Sequence, residues 1–218
     1  IDAVDVSVDV MTLQVNGTSG ADPNLVVDSA ESFPEGPSGD DPPAGLAVAT
    51  GPNPADVVYL DFSGPLLQVA GTITVRISEF VFVTGSAAFQ RGGTETVTVA
   101  GRADPVEVSI ITLGASGVYA FVGLDGPYWV DSNGDGVIDD TDTPDDRAVG
   151  VAISNVEVAI ALLTPTNPAD TARYHAVRAS GGVSLVGVDG VTLSVDTITV
   201  EVNGSNSANP AEAVDFQA

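Results

Sequence analysis

The residues best able to do chemistry lie in one run, Asp131-Ser-Asn-Gly-Asp-Gly-Val-Ile-Asp-Asp-Thr-Asp142. Asp131, Asn133 and Asp135 occupy alternate positions, and Gly136 follows where a tight loop needs a sharp turn. Val137 offers a backbone carbonyl, Asp139 binds directly or through water, and Asp142 closes the twelve-residue circuit. These are all hard oxygen donors, and six to eight such oxygens wrapped round one centre suit Ca²⁺. Mg²⁺ fits less well, because it demands a tight octahedron and keeps its waters. Asp at the closing position is shorter than Glu, which leaves bidentate closure open. Ile138 is expected to anchor the loop to a core. Seven Asp lie within 131–146, and their mutual repulsion is what a bound cation would offset, so calcium is expected to stabilise rather than to switch.

The twelve residues resemble the calcium loops of EF-hands and of dockerin repeats, where Asp also closes the loop. The flanks depart from that pattern. Gly126-Pro127-Tyr128-Trp129-Val130 is no entering helix, and Thr143-Pro144 stops an exiting one. The loop is therefore expected between β-elements, with Tyr128 and Trp129 packing it onto the core.

Other candidates are weaker. Asp22, Asp28, Glu35, Asp40 and Asp41 offer oxygens for a second ion but follow no spacing rule. His175, beside Tyr174 and Arg173, is the single His, so no Ser-His-Asp arrangement can be built round it. Acid pairs for glycoside chemistry are available among 30 carboxylates, yet Trp129 is the only Trp, and sugar subsites want several aromatics. Asn16-Gly-Thr and Asn203-Gly-Ser match the glycosylation pattern but read as turn chemistry at strand ends. Thr72/Thr74 and Thr94/Thr96/Thr98 could form a regular face for ice or glycan.

Six Arg and no Lys against 30 acids give a formal charge of −24, which repels phosphate backbones and anionic membranes. Neither a nucleic-acid partner nor membrane insertion is expected. Hydrophobic residues nevertheless make up 44%, too many for a charged disordered tail. Cys is absent, which removes disulfides and thiolate chemistry. The first residue is Ile, so the chain reads as processed or as a fragment.

The elements that must hold the loop are strands. Val is the residue of choice, with 35 copies, and β-branched residues favour the pleated surface. Residues 4–10 alternate Val with Asp or Ser, and the phase then flips to Met11, Leu13 and Val15, the mark of a bulge. Further strands are expected over 66–83, 94–100, 106–113, 116–124, 148–163, 172–178, 183–188 and 191–203. Turns are expected at Asn16-Gly17, Gly92-Gly93, Gly114 to Gly117, Gly181-Gly182 and Asn203-Gly204, and a long Gly/Pro/Asp loop over 18–45.

A repeat overlies this pattern. Residues 7–28 and 194–215 align without a gap at an offset of 187, with 11 of 22 positions identical, so the end of the chain restarts its beginning. Asn-Pro-Ala-Asp recurs at 53–56 and 167–170, and Asn-Pro-Ala-Glu at 209–212. The fold expected is all-β: an elongated β-solenoid or a stack of β-sandwich-like units, with a compact barrel as the alternative.

The near-repeat, the Gly-Pro-Tyr-Trp-Val lead into the aspartate loop and the Asn-Pro-Ala-Asp turns together resemble giant tandem-repeat bacterial surface and secreted proteins of the adhesin kind. That resemblance implies an extracellular or cell-surface site, calcium for rigidity, and neighbouring copies of the same repeat as partners. It implies no enzyme. The expected function is a structural module of a fibre, filament or stalk, the alternative a glycan- or ice-binding adhesin module.

Overall fold

The computed structural model describes residues 4–20, 22, 24–36, 42–209 and 211–217. Among these residues nine strands and one helical turn follow one another: β1 (Val4–Asn16), α1 (Ser29–Ser32), β2 (Leu46–Ala49), β3 (Val57–Leu60), β4 (Leu66–Ile77), β5 (Val81–Val97), β6 (Val106–Leu124), β7 (Val149–Pro165), β8 (Tyr174–Val186) and β9 (Leu193–Ser205). Seven of them make one antiparallel sheet in the order β1-β4-β5-β6-β7-β8-β9, and β2 and β3 form a separate hairpin between its first two strands. The all-β expectation holds.

Several expected turns are instead interior to strands. β5 runs through Gly92 and Gly93, β6 through Gly114 to Gly117, β8 through Gly181 and Gly182, and β9 through Gly204. The register shifts at three of these places, between Arg91 and Thr94, Ala115 and Val118, and Gly181 and Val183. Glycine inside a strand there marks a bulge or a close backbone approach rather than a reversal. The true reversal in 66–83 falls at Ser78 to Phe80, where Ser78 has φ 50° and the Phe80 N–H donates to Ile77 O. The hairpin over 46–60 and the capped turn of α1 within 18–45 were not anticipated. β2, β3 and α1 are four residues each, too short to show a period, and α1 is capped at its start by the Glu31 N–H donating to Asp28 Oδ1 at 2.7 Å.

Directly opposed residues in a sheet share a face, so the pairings sort the side chains. Val6, Val75, Val83, Ala120, Ile153, Val183 and Val195 form one straight row, and Leu13, Val69, Phe89, Leu113, Ile160, Val177 and Val202 another. Both rows are apolar from edge to edge, and the face they share is open: Val122 is 53% exposed, Leu162 42%. The opposite face carries both cores. At one end Val99, Val108, Leu163, Ala172, Tyr174 and Val214 are buried together. At the other, Phe82, Phe121, Ala148 and Ala152 are buried under Tyr128, Trp129 and Ile138. β8 runs through its β7 pairing without a residue to spare, so Tyr174 in the first cluster and Val186 beside the second lie on one side, and His175 points to the other.

The two edge strands are copies. The phase flip in β1 is a bulge at Asp9, between the paired residues Val8 and Val10. β9 bulges between Val195 and Ile198, the positions 187 residues on from Val8 and Met11. Six steps of an antiparallel sheet separate β1 from β9, so they run in the same direction. Tracing the pairs across the sheet sets Val4 level with Leu193, Val6 with Val195 and Met11 with Val200, a uniform offset of 189. The sequence repeat is 187, so equivalent residues differ by two places along the strand, about 7 Å. Two is even, so equivalent side chains keep the same face.

Candidate metal centre

The aspartate loop joins β6 to β7 and folds back over the core-bearing face. Its lead-in is fixed by aromatic packing. The Trp129 indole N–H donates to Ala120 O at 3.0 Å, and its ring meets Tyr119 and Tyr128 edge-on at 4.9 and 4.8 Å. Tyr128 stacks on Phe121. Ile138 is partly buried against the same cluster, which is the anchoring role its place in the loop suggests. At the exit, the Asp145 N–H donates to Tyr128 O at 2.9 Å, and the exposed Asp145–Arg147 pair holds the Asp145 carboxyl down at about 2, chiefly through the guanidinium hydrogen bond.

Within the loop the carboxylates of Asp131, Asp135, Asp139 and Asp142 are turned onto backbone N–H groups. Gly134 and Gly136 donate to Asp131 Oδ1 and Oδ2 at 2.6 and 2.9 Å, and both have φ near +80°, which only glycine adopts cheaply. Asp135 donates to Asn133 Oδ1 at 2.9 Å and Val137 to Asp135 Oδ1 at 2.8 Å. Asp142 ties the circuit shut by accepting from the backbones of Ser132 and Asp139 at 2.8 and 3.0 Å. Those bonds, that from Asp139 first, hold the Asp142 carboxyl below the usual carboxylate range. Tyr119 donates to Asp140 Oδ1 at 2.9 Å, and burial first, then this bond, pushes its hydroxyl up to about 12.

Among the described residues no three acidic or imidazole groups converge on one point. The donor set is nevertheless chemically suited to a hard divalent cation. Asp131, Asn133, Asp135, Asp139 and Asp142 carry side-chain oxygens, Val137 a carbonyl, and a carboxylate that accepts from two N–H groups keeps lone pairs for a metal.

The remaining candidates are dispersed. Asp22 accepts from the Asn24 N–H and Asp28 caps α1, so each serves its own turn. Asp40 and Asp41 lie outside the described residues. Thr72 and Thr74 are bonded across to Ser86 and Thr84 on the core-bearing face. Thr94 and Thr96 pair with Ser109 and Glu107 on the other side of the strand from Glu95, which faces the buried Val108, so the two Thr groups do not share a face. Asn16 and Asn203 donate to the carbonyls of Val27 and Val214, eleven residues on, so each ties down the segment that follows its strand instead of making a local turn.

One constellation escaped the sequence reading. Arg102 reaches both Asp170 and Glu212, 3.2 Å to the latter, and lies 5.7 Å over the Tyr174 ring. Its bond to Asp170 comes first in raising the guanidinium and in lowering the Asp170 carboxyl. The signal was present: both acids end Asn-Pro-Ala-acid turns in which the acid's N–H donates to the Asn carbonyl, at 3.0 and 3.1 Å. That turns of the same kind would meet at one Arg depends on the sheet.

No family model matches the chain, and no curated protein or solved structure matches it either.

Proposed function

We propose that this chain is a non-enzymatic structural module of a bacterial extracellular fibre, filament or surface stalk, assembled end to end from copies of itself and stiffened by calcium. The observation that carries the reading is the equivalence of the two sheet edges: half their residues identical at a fixed offset, the same bulge, the same direction, the same face. A strand that is both the last of one block and the first of the next lets the sheet continue without an exposed edge between blocks. Six strands per block then advance the assembly by about 29 Å, with a two-residue slip that would make a continuing sheet coil, as in an elongated solenoid or stacked sheets. In the loop, Asp131, Asn133, Asp135, Asp139, Asp142 and the Val137 carbonyl would hold Ca²⁺, whose charge offsets the local repulsion and pins the cover over Phe82 and Phe121.

Electron microscopy of the assembled material tests the reading. Fibres of constant width with an axial repeat near the block spacing are expected, loosening when calcium is chelated. Isolated particles under all conditions would overturn it.

A further inference from the structure

The stretch after β9 closes this block. Val214 is 3% exposed, bridges to Val99 and packs with Val108, Leu163 and Tyr174. The Ala100 N–H donates to Ala213 O at 2.8 Å and the Asp215 N–H to Thr98 O at 2.9 Å. Residues 203–215 are thus a strap over one core.

The stretch after β1 has the same internal form. Asn16 donates to Val27 O as Asn203 does to Val214 O, at 3.0 and 2.8 Å. The Gly20 N–H donates to Thr18 Oγ1 as Ser207 does to Ser205 Oγ, at 3.0 and 3.2 Å. Asn24 donates to Asp22 Oδ1 as Ala211 does to Asn209 Oδ1, at 2.9 and 3.2 Å. The Leu25 N–H donates to Asp22 O as Glu212 does to Asn209 O, at 3.3 and 3.1 Å. Every pair is 187 residues apart. Yet Val27, the counterpart of buried Val214, is 65% exposed, and Leu25 is 75% exposed.

We infer that residues 4–28 are the strap of the preceding block of the array, a copy of this chain through β8 whose β9 and closing strap they supply. There β1 lies along the edge of β8 and Val27 fills the place between Val99 and Tyr174 that Val214 fills here. The inference rests on the end-to-end reading and names the parts that join. Among the described residues β1 has one edge on β4 and nothing on the other, and β9 one edge on β8 and nothing on the other, so a single strand at the junction satisfies both. Leu25 stands where Glu212 stands, so that junction keeps the Arg102–Asp170 pair and exchanges the second acid for apolar contact.

The decisive experiment is a graft within the full chain, replacing residues 194–215 by the sequence of 7–28. Cooperative folding is expected, with Tm lower by about 4 °C for the lost Arg102–Glu212 bond. The amides at positions 100 and 215 should stay protected from hydrogen exchange, and a scrambled graft should lose that protection. A folded graft in which those amides exchange freely, or a scrambled graft that protects them equally, overturns the inference. Should the graft not fold, a labelled peptide of residues 4–28 is titrated onto the full chain carrying Val214→Asp. Saturable binding that Val27→Asp in the peptide abolishes is expected; no binding, where a 191–215 peptide binds, overturns it. Failure of the array itself looks different: native material would be isolated particles although the graft folds.

Discussion

The Asn203 side-chain amide donates to the Val214 carbonyl at 2.8 Å, and that bond holds the buried Val214 against Val99. A part-buried amide–carbonyl bond contributes about 1 kcal/mol net. Asn203→Ala should therefore lower unfolding free energy by about 1 kcal/mol in urea melts. An unchanged midpoint would mean that the other contacts of the strap hold it without this bond.

Val214 and Val27 occupy equivalent positions in opposite environments. Val214→Ala removes methyls from a packed cluster and should cost about 2 kcal/mol. Val27→Ala in the same isolated chain should stay within about 0.5 kcal/mol, as for other exposed sites. Equal effects in denaturant titrations would contradict the burial difference.

Calcium is expected to raise Tm, and a chelator to lower it. Trp129, the sole Trp, is wedged between Tyr119 and Tyr128 at the base of the loop, so its fluorescence should report the same titration. Asp131→Asn with Asp135→Asn should abolish both responses while leaving the strand signature in circular dichroism. Identical melts with and without calcium would remove the ion from the account.

Lowered carboxyls bound the stable pH range on the acid side and raised phenols on the alkaline side. The Asp142 and Asp170 carboxyls titrate below their ordinary range in the folded chain, so their contribution is present above the unfolded value near 4 and is lost as pH falls through the folded ones. Tyr119 titrates at about 12 instead of 10, so between those pH values the unfolded chain loses a proton that the folded chain keeps, and stability falls as pH rises. Tyr119→Phe should flatten that alkaline limb in melts from pH 9 to 12. A limb of unchanged slope would assign it to other groups.

The Tyr174 hydroxyl is buried, with no hydrogen-bond partner among the described residues. An unsatisfied buried hydroxyl is costly, so Tyr174→Phe should keep or raise stability by up to about 1 kcal/mol. A loss of more than that in calorimetry would reveal a bond that the hydroxyl makes in solution.

The strands were legible because period-two alternation is local: Val4, Val6 and Val8, then Met11, Leu13 and Val15, announce both a strand and its bulge from neighbouring residues alone. The twelve-residue aspartate pattern and the 187-residue repeat were equally plain, since spacing along the chain is all they require. Glycine misled, because Gly117 or Gly181 has the same conformational freedom in a turn as in a bulge, and only the partner strand decides which is made. Tertiary structure alone put one face of the sheet in the open and both cores on the other. It alone brought Asp170 and Glu212 to Arg102, and buried Val214 while leaving Val27 bare. Those outcomes turn on which strands stand side by side, and pairing between residues a hundred apart leaves no mark in the spacing of either.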